Sequence, residues 1–221
     1  VVNQCYSDNI GDKLIGEILF DYLKNQKYHV NLAGYAQTSQ QDIIYNNRNK
    51  VWKNLKKISK RICPEIIKFI LIYRKKINNE IKKSNLKEAD ALLLGGGQLL
   101  KHKSVFTYCF YYWTKKAVEY NVPIYIHGIG VDTNLNMIEK RLYHSGLKKV
   151  RYINCRDKVS AKYLKIICGR NISVSPDIAF TYHKLKETKK IKNNLIIMPY
   201  NYYIAKTNFI FFKNNIQTAC I

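Results

Sequence analysis

The sequence predicts an α/β domain built on a parallel sheet. Short apolar runs of strand length alternate with stretches of helical period along most of the chain. One such run, Ala91 to Leu94, leads at once into three glycines, Gly95, Gly96 and Gly97. Another, Val122 to His127, leads into Gly128-Ile-Gly-Val-Asp132. Strand, glycine turn and helix in succession is the rhythm of βα units. A strand that stops in three glycines lets a backbone or a ligand approach closely and permits φ > 0. Ligands of open parallel sheets sit outside the carboxyl ends of the strands. The triplet is therefore the first candidate wall of a site, with a tight ligand-free turn as the competing reading.

The elements follow in order. Val1 to Tyr6 reads as the tail of a first strand, so the start of the chain is expected to be missing. The polar loop Ser7 to Asp12 leads into a helix from Lys13 to Lys24, with Leu14, Ile18 and Tyr22 at helical spacing. Asp12 or Asp8 is the expected N-cap, and the backbone N–H groups of this loop make a ready anion site. Tyr28 to Ala36 is a second strand. From Lys50 to Lys83 the chain carries twelve Lys or Arg against Glu65 and Glu80. On a helical projection Val51, Trp52, Leu55, Ile58 and Ile62 share one sector, and Lys50, Lys53, Lys57, Lys60 and Arg61 the opposite one. Such a basic amphipathic helix, ending near Pro64, suits an anionic membrane surface, or packs on its own domain with a solvated lysine face.

Beyond the central strand, Val105 to Tyr120 reads as an aromatic-rich helix, Leu135 to Leu147 as a second and Val150 to Asn154 as a strand. Cys155-Arg-Asp157 turns into a helix from Lys158 to Cys168, which Gly169 stops. Ile172 to Val174 is a last strand before Ser175-Pro-Asp177. Domain boundaries follow: a domain over 1–187 with a basic helical insertion at about 42–84, then a linker and the start of an incomplete second domain over 188–221.

Composition narrows the function classes. Hydrophobic residues make up 47%, enough for a core. No apolar run reaches the ~18 residues of a membrane span. The six cysteines contain no C-x-x-C pair and are irregularly spaced. That supports neither a zinc site nor a disulfide framework, and reduced cytosolic thiols are expected. A net charge of +23 suits an anionic partner. The abundance of Lys, Asn, Ile and Tyr is also what an AT-rich coding sequence gives. No nucleic-acid motif accompanies the charge, so no nucleic-acid partner is expected.

Asn9-x-Gly11-Asp12, Ala89 to Gly97, the Pro123 to Gly130 strand and turn, Arg156-Asp-x-x-Ser160 and Pro176-Asp177 stand in an order and spacing that resembles the polysaccharide pyruvyl transferase family. The resemblance covers nearly all of residues 1–185. It implies two Rossmann-like domains facing a cleft, as in B-type glycosyltransferases, of which this chain holds the first. It also implies transfer of a pyruvyl group from phosphoenolpyruvate to sugar hydroxyls as a ketal. The acceptors so implied are cell-surface or extracellular glycans and their lipid-linked precursors. Family members carry a complete second domain that supplies Arg and His residues to the donor site.

That chemistry needs an acid for the methylene carbon, a base for the sugar hydroxyl, and cations for the two anionic groups of the donor. It requires no metal and no cofactor beyond phosphoenolpyruvate as substrate. Arg156, just past a strand end, is the leading donor-binding candidate, and the family pattern has an Arg there too. Asp157 reads as the N-cap of the next helix or as a catalytic carboxylate, with Ser160 in the first turn. The Asn9, Gly11 and Asp12 loop and the glycines at 95, 96 and 97 are expected to floor the cleft on the acceptor side. His127 is the candidate proton-transfer group, against a structural role. Asp177 is a candidate contact to a sugar hydroxyl, against a turn-forming Pro-Asp. The expected location is cytoplasmic, with contact at the inner membrane face. Two other readings stand beside this one: a B-type glycosyltransferase using a nucleotide sugar, and an inactive truncated remnant.

Overall fold

The structure, a computed structural model, describes residues 1–7, 9–36 and 64–181. The chain divides into two compact units, Val1–Tyr182 and His183–Ile221, and all described residues belong to the first. The expected helix over 50–63 and the stretch 188–221 lie outside the described residues.

Six parallel strands form one sheet: β1 (Val2–Asn3), β2 (Ala33–Gly34), β3 (Leu92–Leu100), β4 (Ile124–Val131), β5 (Val150–Cys155) and β6 (Ser173–Val174). Their spatial order is β2-β1-β3-β4-β5-β6. The winding therefore runs one way from β1 to β2 and the other way from β3 onward. Right-handed crossovers then put the helix after β1 on one face and those after β3 and β4 on the other. This is the Rossmann-like α/β arrangement expected.

Helix α1 (Ile10–Asn25) follows β1. Its start corrects the expectation at the cap. Asn9, extended at φ −76° and ψ 118°, is the N-cap, and its Oδ1 accepts from the N–H groups of Gly11 at 2.8 Å and Asp12 at 3.4 Å. Asp12 lies inside the first turn, where its carboxylate accepts from the Ser7 hydroxyl at 3.1 Å. The short amide of Asn9 reaches the free N–H groups from outside the helix, which Asp12, one turn in, does not.

The segment before β3 is a long helix, α2, running from Pro64–Lys68 through a π-helical turn, Phe69–Tyr73, into Arg74–Lys83. Phe69, Tyr73, Ile77 and Ile81 are all buried and spaced by four. In a regular helix that spacing drifts by about 40° at each step. The widened turn at Phe69–Tyr73 takes up part of the drift. Helix α2 thus packs on its own domain. Phe69 meets the rings of Tyr108 and Tyr112, and the buried Glu80 carboxylate accepts from the Gly34 N–H at 3.0 Å.

Helices α3 (Phe106–Glu119) and α4 (Met137–Leu147) follow β3 and β4. Phe110, Trp113 and Ala117 of α3 and Tyr143 and Leu147 of α4 are fully buried with Leu92, Leu94, Ile124 and Ile126 of the sheet. Asn136 and Glu139 form a reciprocal capping box at the start of α4. Helix α5 (Lys158–Cys168) ends at Gly169, which is left-handed at φ +69°.

The strands differ from the expected ones. The second is only Ala33–Gly34, in register with Val2 and Asn3 of β1. More importantly, β3 does not stop at its glycines. It runs through Gly96 (φ +71°) and Gly97 (φ +78°) to Leu100, pairing Gly97 with Ile129 and Gln98 with Gly130. The fourth strand likewise continues past Gly128 (φ +65°) to Val131. Each supplies the backbone partner the other needs, so the two extend together.

Candidate active site at the carboxyl ends of the strands

Between β1 and β3 the sheet reverses its direction of winding, which opens the crevice where ligands of such sheets bind. The loop before α1 and the glycines of β3 meet there. A Cβ on Gly95 would lie 2.8 Å from Leu19 Cδ1, and one on Gly96 would overlap Ile15 Cγ2. The close approach these glycines permit is made by α1. Both are buried beneath it, so helix packing rather than an open wall explains them. Gly97, one residue nearer the strand end, faces the Asp12 carboxylate, 3.1 Å from a Cβ built there. Asp12 is tied further by its carbonyl, which accepts from Asn3 Nδ2 at 3.3 Å.

A second cluster spans the ends of β3, β4 and β5. Arg156 leaves the end of β5, with its N–H on the Ile129 carbonyl at 3.2 Å. Its Nη1 donates to Asp177 Oδ2 at 3.1 Å, and its Nη2 donates to Gln98 Oε1 at 3.0 Å. Gln98 Nε2 in turn donates to Asp132 Oδ1 at 2.7 Å, and Asp132 Oδ2 accepts from the His102 N–H at 2.8 Å. The Arg156 side chain remains 33% exposed, with its guanidinium held from two sides. It crosses β4 at Gly130, where a Cβ would stand 3.0 Å from Nε, 3.1 Å from Nη2 and 2.5 Å from Gln98 Oε1.

Asp157 caps α5. Its Oδ1 accepts from the Ser160 N–H and its Oδ2 from the Ser160 hydroxyl, both at 2.7 Å. The Ser160 hydroxyl oxygen also accepts from the Val131 N–H at 3.0 Å, tying α5 to the end of β4. Burial works to raise the Asp157 carboxyl. The two bonds from Ser160, with the Arg156 charge and the Val159 N–H, outweigh it and hold the carboxyl below its ordinary range. Asp157 and Ser160 thus support the Arg156 turn from behind.

His127 stands on β4 opposite Gly95. Partial burial pushes its imidazole below the ordinary value, and the Asp177 carboxylate works against that shift. Burial thus favours the neutral ring, the form able to accept a proton. Asp177 bonds both Arg156 and the Ala179 N–H, the latter at 3.1 Å.

The fold thus brings Arg156, Asp157, Ser160 and Asp177 to one strand-end cluster, with His127 within electrostatic reach of Asp177. Asn9, Gly11 and Asp12 belong to the neighbouring cap of α1. Sequence reasoning missed Gln98, Gly130 and Asp132. Asp132 directly follows β4, and that strand-end position was its signal; Gln98, inside β3, had none. A further unforeseen contact joins His102 Nδ1 to the buried Glu139 at 2.8 Å. Among the described residues, no group of three or more His, Cys, Asp or Glu is placed to hold a metal ion. None of their helices is long and apolar enough to cross a membrane.

A family model described as polysaccharide pyruvyl transferase matches residues 9–219. Comparison with curated proteins and with solved structures gives no match.

Proposed function

The chain belongs to the polysaccharide pyruvyl transferase family, and from that premise we propose that it moves a pyruvyl group from phosphoenolpyruvate onto two hydroxyls of a glycan or lipid-linked saccharide. One observation supports the donor reading above the others. Arg156 sits at a strand end, anchored by Gln98 and Asp177, with its side chain one-third exposed. A planar, permanently charged fork of this kind matches a carboxylate or a phosphate.

In the reaction a proton adds to the methylene carbon of the donor, and the first sugar hydroxyl attacks the adjacent carbon. The phosphate ester bond then breaks, and the second hydroxyl closes the ketal. Of the two hydroxyl protons, one restores the acid and one leaves with phosphate. Arg156 stabilises the anionic donor and the departing phosphate. Among the described residues His127, whose burial favours the neutral ring, and Asp177 are groups suited to take a hydroxyl proton. The outer face of α2 suits an acceptor held at an anionic membrane. Ile70 and Leu71 are about half exposed there beside Lys68, Arg74 and Lys75.

The test is a thermal-shift titration of the full chain with phosphoenolpyruvate, repeated on Arg156→Ala. The expected outcome is a transition raised by the donor and unmoved in the variant. A transition that ignores phosphoenolpyruvate but rises with UDP-sugars would replace this reading with a B-type glycosyltransferase. Sedimentation with anionic and neutral vesicles checks the membrane contact, which predicts retention by the anionic set alone.

A further inference from the structure

We propose that Gln98 is a positioning residue whose side chain, locked by Asp132, sets the angle at which Arg156 meets the donor. This rests on Arg156 as the donor-binding residue. The argument begins with what each group is able to do. A carboxylate only accepts hydrogen bonds and a guanidinium only donates them. Gln98 lies between one of each, with Asp132 Oδ1 at 2.7 Å from its nitrogen and Arg156 Nη2 at 3.0 Å from its oxygen. Only one orientation of the amide satisfies both neighbours. The flipped amide would set an N–H₂ against the guanidinium and an oxygen against the carboxylate.

Asp132 is itself fixed. Its second oxygen takes the His102 N–H at 2.8 Å, and its own N–H donates to the Leu100 carbonyl at 2.9 Å. The orientation of the amide is thus set from the backbone at the ends of β3 and β4. Gly130 completes the device. It leaves the space in which Arg156 crosses β4, since a Cβ there would crowd both Gln98 Oε1 and the guanidinium. Gln98 is also neutral. It holds one edge of Arg156 without adding a second carboxylate to compete with an anionic donor, as a glutamate would.

The experiment measures the affinity of phosphoenolpyruvate calorimetrically on the full chain. The variants are Arg156→Ala, Gln98→Met, Asp132→Asn, Gly130→Ala and the Gln98→Met/Asp132→Asn pair, each with its melting temperature. An asparagine at 132 has one oxygen for two donors, so the Gln98 amide is free to turn its nitrogen toward Arg156. Losing the hold on Arg156 is expected to weaken binding about tenfold in Gln98→Met, the effect of one charge-assisted hydrogen bond. Asp132→Asn should weaken binding about fivefold alone but less than about twofold when Gln98 is already methionine, because the two act through one contact. Gly130→Ala removes no hydrogen-bonding group and is expected to weaken binding as well. A merely structural role for Gln98 would lower the melting temperature and leave donor affinity and the coupling unmoved. That result overturns the proposal while the Arg156→Ala loss keeps the donor reading. Binding that survives Arg156→Ala overturns both.

Discussion

Asp157 meets two donors of the same residue, the N–H and the hydroxyl of Ser160, and so starts a helix and holds the hydroxyl that ties it to the neighbouring strand. Asp157→Ala removes the cap and leaves the Ser160 hydroxyl with the Val131 N–H alone. The expected cost is about 1–2 kcal/mol, in the range of N-cap deletions. The pH dependence has a definite sign. The folded-state carboxyl lies below its ordinary value of 3.8. The unfolded chain therefore takes up its proton first as pH falls. The stabilisation is complete above the unfolded value and is lost as pH drops through the folded one. Urea unfolding of wild type and Asp157→Ala should show a gap that is constant near neutrality and narrows below about pH 4. A gap that widened on acidification would contradict this assignment of the charge.

The third strand shows how an element is set by its neighbours. Its glycines make room for α1: Gly95 receives Leu19 and Gly96 receives Ile15. Gly96→Ala must both adopt φ +71° and displace a buried isoleucine. A loss of about 3 kcal/mol or more is expected, well above an ordinary surface change, read as a lowered denaturation midpoint with an unchanged slope. A variant as stable as wild type would mean that α1 does not sit against the strand. The same element shows what the sequence makes legible. Helix α5 is readable to the residue, because Asp157 before it and Gly169 after it are local signals, four residues or fewer from the groups they satisfy. Strand ends are not local. Leu94 looks like the end of β3, yet pairing with β4 carries the strand six residues further. Tyr28 to Ala36 looks like a strand, yet only Ala33 and Gly34 are in register with β1. At the start of α1, Asn9 rather than Asp12 takes the cap, since its side chain reaches the free N–H groups from outside the helix.

Across the whole molecule, the strand-end cluster is assembled from residues far apart in the chain. Gln98 and Arg156 are 58 positions apart, and Arg156 and Asp177 are 21. Arg156, Asp157 and Asp177 were open to inference because each stands shortly past a strand, and Ser160 because it falls in the first turn behind the Asp157 cap. Gln98 and Asp132 gain their meaning only when β3, β4 and β5 lie side by side, in an order no short stretch of sequence reveals. The contact between Arg156 and Asp177 bears on how a catalytic cycle ends. Every turnover of the proposed reaction leaves inorganic phosphate beside a cation that binds phosphate well. In this chain a tethered carboxylate stands 3.1 Å from one arm of that cation. On the proposed reaction Asp177 is a tethered competitor for Arg156, at an effective concentration on the order of millimolar, and is expected to favour release of the product. Replacing it with the neutral amide, Asp177→Asn, should make inorganic phosphate a stronger inhibitor of the full chain, seen as a lower inhibition constant in a phosphate titration. An unchanged or higher constant would mean that the carboxylate plays no part in emptying the site.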